Sequence, residues 1–370
     1  MSAVARGFVD ELGRIARTPV DLFLLTAMPL LLLGSMAAMI FGGSPERLGT
    51  VIVDRDGGAL AQRIARDVDA APGLSVVART PDLDAAMAMI RREEAVAAVV
   101  IPRGVGTRVA DGAPVEIFHQ ALFLSTGALA ATNLRVVVAA VLASEKDVGI
   151  EADRLPLPGV TVTVLGNPTL SLEWYLGLLL GPGVLHLLIA VTAAASLGVL
   201  MRERSFGDYV RGVEGAGGRI VGRLAVHVAA GTLWSILWLL WLTLARGYHA
   251  DGSLILIVLG IALLFAATAA VALLLVAATR EVATALSGGV IVAGSALAYS
   301  GASLPLGGAG WFARFWSAAL PLTHYLTLQM DQVLGVAPAP FLRAAGALML
   351  YPLVAGGVGL WLVLRDGRAR

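Results

Sequence analysis

The chain has 370 residues, 58% of them hydrophobic and 14% charged, with a mean hydropathy of +0.82, which excludes an ordinary water-soluble globule and reads as a membrane protein. It contains no cysteine, so disulfide frameworks, thiolate zinc sites, iron–sulfur clusters and cysteine nucleophiles are all excluded. A formal net charge of +1 gives no general basic surface and argues against nucleic-acid binding. Lys146 is the only lysine, and the arginine and alanine bias points to a GC-rich bacterial genome.

Six segments carry the roughly 20 mostly apolar residues that a bilayer crossing needs. The first covers about 20–41, and Pro29 inside it is tolerable where a neighbouring helix satisfies the carbonyl it frees. Just upstream, over 8–17, Phe8, Leu12, Ile15 and Ala16 share one helical face while Arg6, Asp10, Arg14 and Arg17 lie elsewhere. That pattern predicts an amphipathic helix on the membrane surface. The competing expectation is a cleavable signal peptide, but the apolar run exceeds the roughly 7–15 residues of a signal core and no small-x-small cleavage site follows. The other spans are expected at about 175–200, 224–245, 254–279, 282–299 and 344–364. Arg6, Arg14, Arg17, Arg202, Arg204, Arg211, Arg219, Arg223, Arg280, Arg365, Arg368 and Arg370 then fall on one side, and Arg246, Arg314 and Arg343 on the other. By the positive-inside rule both termini are cytoplasmic and 43–171 is extracytoplasmic.

Within 43–171 the composition reverts to that of a soluble domain. Strands are predicted at Val51-Ile52-Val53, 74–78, 96–101 and 115–118, and helices at 59–70, 83–93 and 121–146, with Pro81-Asp82 as a start signal. Strands separated by helices imply an α/β domain. Asp54-Arg55-Asp56-Gly57 reads as a strand-terminating turn rather than a cation loop, because further oxygen ligands at fixed offsets are lacking.

There is no GxxxxGK[ST] phosphate loop, and Gly215, Gly217, Gly218 and Gly222 do not satisfy GxGxxG spacing. HExxH and GxSxG are also missing, which leaves an intramembrane hydrolase unsupported. His186 and His227 fall inside spans, where an ionisable residue either serves a substrate or is hydrogen-bonded within the bundle. Trp234, Trp238 and Trp241 form a stripe suited to lipid anchoring or packing.

Between the second and third spans, Arg202-Glu203-Arg204-Ser205-Phe206-Gly207-Asp208 resembles the RE-x-E-x-GT loop of type-2 ABC exporter permeases. It departs from that pattern in Arg204-Ser205, where the second acid is expected, and in Asp208, where threonine is usual. Other segments resemble the family in the same order: Glu11-Leu12 to Pro19, Met28-Pro29, Val51-Ile52-Val53-Asp54, Val99-Val100-Ile101-Pro102, Gly166-Asn167-Pro168, Ser300-Gly301 to Pro305, and Leu320-Pro321 to His324-Tyr325. The extracytoplasmic pieces match its one-plus-five subgroup. On residues alone, 300–336 is too broken by glycine and proline to span, yet Trp311, Phe312, Phe315 and Trp316 suit the interface, so short re-entrant helices are expected.

The expected fold is an α-helical polytopic membrane protein: surface helix and first span in 1–42, an inserted extracytoplasmic α/β domain in 43–171, and five spans in 172–370. The last part holds a cytoplasmic coupling loop at 201–223 and an outer re-entrant region at 300–336. The resemblance implies an exporter permease for a hydrophobic or amphiphilic substrate, in a bacterial inner membrane. It implies coupling residues at Arg202, Glu203, Arg204, Phe206, Gly207 and Asp208, and an outer gate at Ser300, Gly301, Pro305, Pro321, His324 and Tyr325. ATP and Mg belong to a partner ABC ATPase, with no cofactor on this chain. A second copy or a related permease completes the path, the lipid bilayer surrounds it, and a periplasmic adaptor is a further candidate partner. A secondary transporter and a membrane-anchored sensor or assembly scaffold remain the alternatives.

Overall fold

The structure, a computed structural model, describes residues 1–40, 47–71, 73–92, 94–105, 115–119, 126–146, 171–203, 205–301, 308–335 and 338–368. Two compact units emerge, one of Met1–Phe41 with Val164–Arg370 and one of Gly42–Thr163. In chain order, α1 (Ala3–Arg17), α2 (Pro19–Leu25) and α3 (Ala27–Ile40) lead into β1 (Leu48–Asp54), α4 (Ala59–Ala70), β2 (Leu74–Thr80), α5 (Leu83–Arg91), β3 (Ala97–Ile101), β4 (Glu116–His119) and α6 (Thr126–Lys146). The helical unit resumes with α7 (Leu172–Glu203), α8 (Phe206–Gly212), α9 (Ala216–Leu240), α10 (Leu254–Thr279), α11 (Val282–Tyr299), α12 (Trp311–Ala319), α13 (Pro321–Val333), α14 (Pro338–Leu350) and α15 (Gly357–Arg368). π-Helical turns at Trp241–Ala245 and Tyr351–Gly356 extend α9 and join α14 to α15.

Among the described residues, six helical stretches are long and apolar enough to cross a membrane: Pro19–Ile40, Glu173–Met201, Ala216–Ala245, Leu254–Thr279, Val282–Tyr299 and Pro340–Gly367. The third begins well before residue 224, because Arg219 and Arg223 continue the helix without being apolar.

Among its described residues, the smaller unit holds a four-stranded sheet of order β2-β1-β3-β4, parallel except where β4 pairs with β3. Its central strands are apolar on both faces, as parallel strands covered by helices must be. Ile52, Val99 and Ile101 pack with Ile64 and Val68 of α4 and Leu134 and Val138 of α6. Val51, Val53, Ala98 and Val100 face Ala86 and Ile90 of α5. After β1, the Asp54 carboxylate accepts the backbone N–H groups of Asp56 (3.0 Å) and Gly57 (2.8 Å), and Gly57 has φ +67°. The acidic segment is therefore a turn held by its own side chain.

In the helical unit, prolines set two of the interhelical contacts. Proline has no N–H, so each one inside a helix leaves the carbonyl four residues earlier unpaired, which is costly in hydrocarbon. Pro29 frees Leu25, and Trp234 of α9 donates its indole N–H to that oxygen at 2.9 Å. Pro182 frees Leu178, and the Gln329 amide of α13, buried to 1% exposure, donates to it at 3.0 Å. Trp238 reaches the Gly177 carbonyl at 2.8 Å and stacks on Trp241. Two of the three tryptophans thus tie helices together through their indole nitrogens.

Trp234→Phe should therefore lower the stability of the purified protein by about 1 kcal/mol, the worth of an interhelical hydrogen bond in a membrane. In a Pro29→Ala background, where a backbone N–H again serves Leu25, the same substitution should cost less. Equal thermal shifts in the two backgrounds would remove the carbonyl from the explanation.

Candidate functional site

The segments richest in arginine converge at one end of the helical unit. There α1 lies against α9 on a seam of glycines: a Cβ at Gly7 would fall 2.1 Å from the Arg219 carbonyl oxygen, and one at Gly222 would fall 2.0 Å from that of Val4. Backbone contact this close is open only to glycine. This is the role of a glycine cluster whose spacing fits no phosphate loop.

The seam presses the Gly7, Glu11 and Ile15 face of α1 inward, and Glu11 is only 1% exposed. An ionised carboxylate survives burial only when paired and hydrogen-bonded. Glu11 accepts from Arg14 of its own helix at 2.7 and 2.9 Å and from Ser196 of α7 at 2.6 Å. From α9, Arg223 Nη2 lies 2.9 Å away and His227 Nε2 donates at 3.3 Å. Arg223 also donates to Ser196 at 2.8 Å, and Arg14 reaches on to Asp21 at the start of the first span. Burial by itself would raise the Glu11 carboxyl, but hydrogen bonds from Arg14, His227 and Ser196 and the charge of Arg223 outweigh it and hold its pKa at about 2. At the rim, Arg219 pairs with Asp10 at 2.9 Å.

The expected loop at 201–223 is largely helical. Its first residues, up to Glu203, finish α7; α8 follows, and α9 has begun by Ala216. Ser205 caps α8 by accepting the Asp208 N–H at 3.2 Å while donating to the Asp208 carboxylate at 2.6 Å. Gly215, with φ +68°, reverses the chain into α9. Phe206, expected as a contact for a partner, is 4% exposed and packs among Leu200, Ile220, Val276 and Val363, because α8 is short and can be held only through its apolar side chain. A Cβ at Gly207 would lie 2.9 Å from the Asp366 carbonyl oxygen of α15. Asp366 in turn accepts from Arg280, after α10, at 2.7 Å. Asp208 is exposed, its carboxyl lowered by the hydrogen bonds from Ser205 and Arg211. Arg204 and the side chains of Arg202 and Glu203 lie outside the described residues.

About 35 Å away along α7, counting 1.5 Å per residue, a second buried acid organises the opposite end. Glu173, 0% exposed, takes both a 2.8 and a 2.9 Å contact from Arg246 and a 2.8 Å hydrogen bond from the Tyr248 hydroxyl. Ser171 lies 2.6 Å from that hydroxyl and Trp174 stacks on the Tyr248 ring. The π-helical turn after α9 brings Arg246 and Tyr248 round to meet it.

The residues expected at an outer gate divide into two groups. Ser300 closes α11 by donating to the Leu297 carbonyl at 2.8 Å, and Gly301 has φ +78°. Pro321 opens α13, His324 is 2.9 Å from the Ala318 carbonyl, and Tyr325 is 1% exposed inside the helical core. Tyr325 is thus a packing residue. Helices α12 and α13, at 9 and 13 residues, are too short to span. Pro305 and 166–168 lie outside the described residues. Among the described residues, no group of three or more His, Asp or Glu is arranged to hold a metal ion.

A family model described as ABC-2 family transporter protein matches residues 20–361. The chain belongs to that family. No curated protein and no solved structure matches it. An ABC-2 family transporter is a multi-pass membrane transport component that works with an ABC ATPase subunit. In this one the match begins after α1, so the Glu11 cluster fastens a helix outside the matched region onto two spans within it.

Because the folded-state carboxyl of Glu11 sits below its ordinary value of 4.5, its contribution to stability is full above pH 4.5 and is lost as the pH falls towards 2. Over that window the native protein should lose about 3 kcal/mol more stability than Glu11→Gln. Parallel acid-denaturation curves for the two would contradict the pairing.

Proposed function

We propose that this ABC-2 family transporter is the permease of an ATP-driven exporter in a bacterial inner membrane, moving a hydrophobic or amphiphilic substrate outward. Both termini are cytoplasmic, 43–171 is extracytoplasmic, and two permeases enclose the path, as symmetric assemblies do. A separate ATPase carries ATP and Mg. The observation that carries this reading is the gathering of α1, α8, the α10–α11 turn and the end of α15 at one arginine-rich end, linked by the Arg219–Asp10 and Arg280–Asp366 pairs. Val4, Val9 and Leu12 leave an exposed apolar face on α1 beside the buried one, which suits a helix resting on the inner leaflet.

The route of coupling follows from the packing. The exposed side of α8, carrying Asp208 and Arg211, offers charges to the ATPase, while buried Phe206 transmits its displacement to α7, α9 and α10. A change in ATPase spacing then selects between bundle states by differential binding.

Two experiments test this. In spheroplasts of a cysteine-free host protein, an impermeant maleimide should label cysteine at position 79 and spare cysteine at 211 until the membrane is opened; the reverse would invert the topology. Replacing Asp208 and Arg211 together by alanine should reduce copurification of the ATPase, with stability changed by no more than about 0.5 kcal/mol as at other exposed sites. Full copurification and coupling in that variant would dismiss α8 as the docking element.

The gate is tested at Gly301, whose φ of +78° suits glycine and is tolerated by asparagine but costs a β-branched residue about 1–2 kcal/mol. Gly301→Asn should keep transport and Gly301→Val should lose it in a reconstituted system. Normal transport by the valine variant would make this segment a passive loop.

A further inference from the structure

Near the middle of α7 and α10, His186 and Thr268 are each 2% exposed. The Thr268 hydroxyl donates to the Leu264 carbonyl at 2.7 Å, and His186 Nδ1 lies 2.7 Å from the Thr268 oxygen. With its hydrogen already committed, that oxygen can only accept, so Nδ1 carries the imidazole proton. Nε2 is then a bare lone pair, and it has no hydrogen-bond partner among the described residues. His186 borders a narrow cleft between α7, α10 and α11, lined also by Val271, Leu275, Gly289 and Val292 and with an open core of about 10 Å³, the size of one water or one hydroxyl. Gly289 is buried, yet a Cβ built on it would meet no atom within 4 Å, so the helix wall leaves space there. Val271, Leu275 and Val292 are only half-buried, so an alkyl chain can leave the cleft along them.

We propose that this cleft binds the hydrogen-bond-donating head, a hydroxyl or amine, of an amphiphile whose chain lies against Val271, Leu275 and Val292. His186 Nε2 is the acceptor that selects for a donor, and Thr268 is the positioning residue that fixes its tautomer. The inference deepens the export reading by naming a cargo chemistry, and it rests on that reading only for the role of the bound molecule.

The test uses the full chain in lipid nanodiscs with ¹⁵N-labelled histidine. There are five histidines, and His186→Gln identifies the resonance. Titration with 1-decanol should move the unprotonated Nε2 signal saturably, as acceptance of a hydrogen bond does, while decyl methyl ether, which has no donor, should leave it in place. Gly289→Leu fills the cleft while favouring the helix, and it should weaken decanol binding by about tenfold or more, the scale of one lost hydrogen bond. The proposal is overturned by a signal indifferent to decanol, by one already at its hydrogen-bonded position because water occupies the cleft, or by an equal response to the ether. Decanol binding at His186 in a chain that captures no ATPase would leave the cleft standing and sink the export reading; the reverse pair of results would sink the cleft alone.

Discussion

A carboxylate cannot be left alone in a low-dielectric interior, and the arginine-rich end of this molecule is arranged around that constraint at Glu11. The residue sits on a helix outside the bundle, yet its partners come from two spans, Ser196 on α7 and Arg223 and His227 on α9. Meeting all of them requires α1 to lie in one register on α9. The glycines at 7 and 222 allow that approach and the ion cluster determines where it stops. Buried pairs of this kind contribute little net stability against an apolar alternative, but losing one partner costs about 3 kcal/mol or more, so they specify an arrangement rather than strengthen it. In the coupling proposed above, a fixed register between α1 and the spans α7 and α9 is the useful property.

The same demand recurs away from the charges. The carbonyls released by Pro29 and Pro182 are met by Trp234 and Gln329, and Glu173 is met by Arg246 and Tyr248. Each partner comes from another helix or, for Arg246 and Tyr248, from the segment that follows one. Apolar packing holds the bundle together with little directional preference, because lipid chains are as apolar as leucine. These few polar contacts therefore specify which helix faces which. His186 Nε2 is one of the places among the described residues where the pattern is left incomplete, and the cleft beside His186 is why it draws attention as a binding group.

What was legible in the sequence follows the range of the interactions. Six spans could be read because hydropathy over some twenty residues is a local property. Glu11 was not legible. The pattern of Phe8, Leu12, Ile15 and Ala16 turns the acidic residues of α1 outward, whereas the glycine seam rotates Gly7, Glu11 and Ile15 inward and leaves Leu12 52% exposed. The signal was the pairing of Gly7 with Gly222, over two hundred residues apart, which no local periodicity reports. Phe206 shows the converse: its place in a charged segment suggested exposure, and the shortness of α8 requires its burial. Pro29 signalled a freed carbonyl, but not that Trp234 would answer it.

The most direct measurement is a double-mutant cycle on Glu11→Ala and Arg223→Ala, read by thermal or denaturant unfolding of the protein in lipid nanodiscs. If the Glu11 cluster sets the register of α1 on α9, the two substitutions will be non-additive by at least about 1 kcal/mol, the second costing little once the first is made. Additive losses would mean that the pair does not organise this end of the molecule.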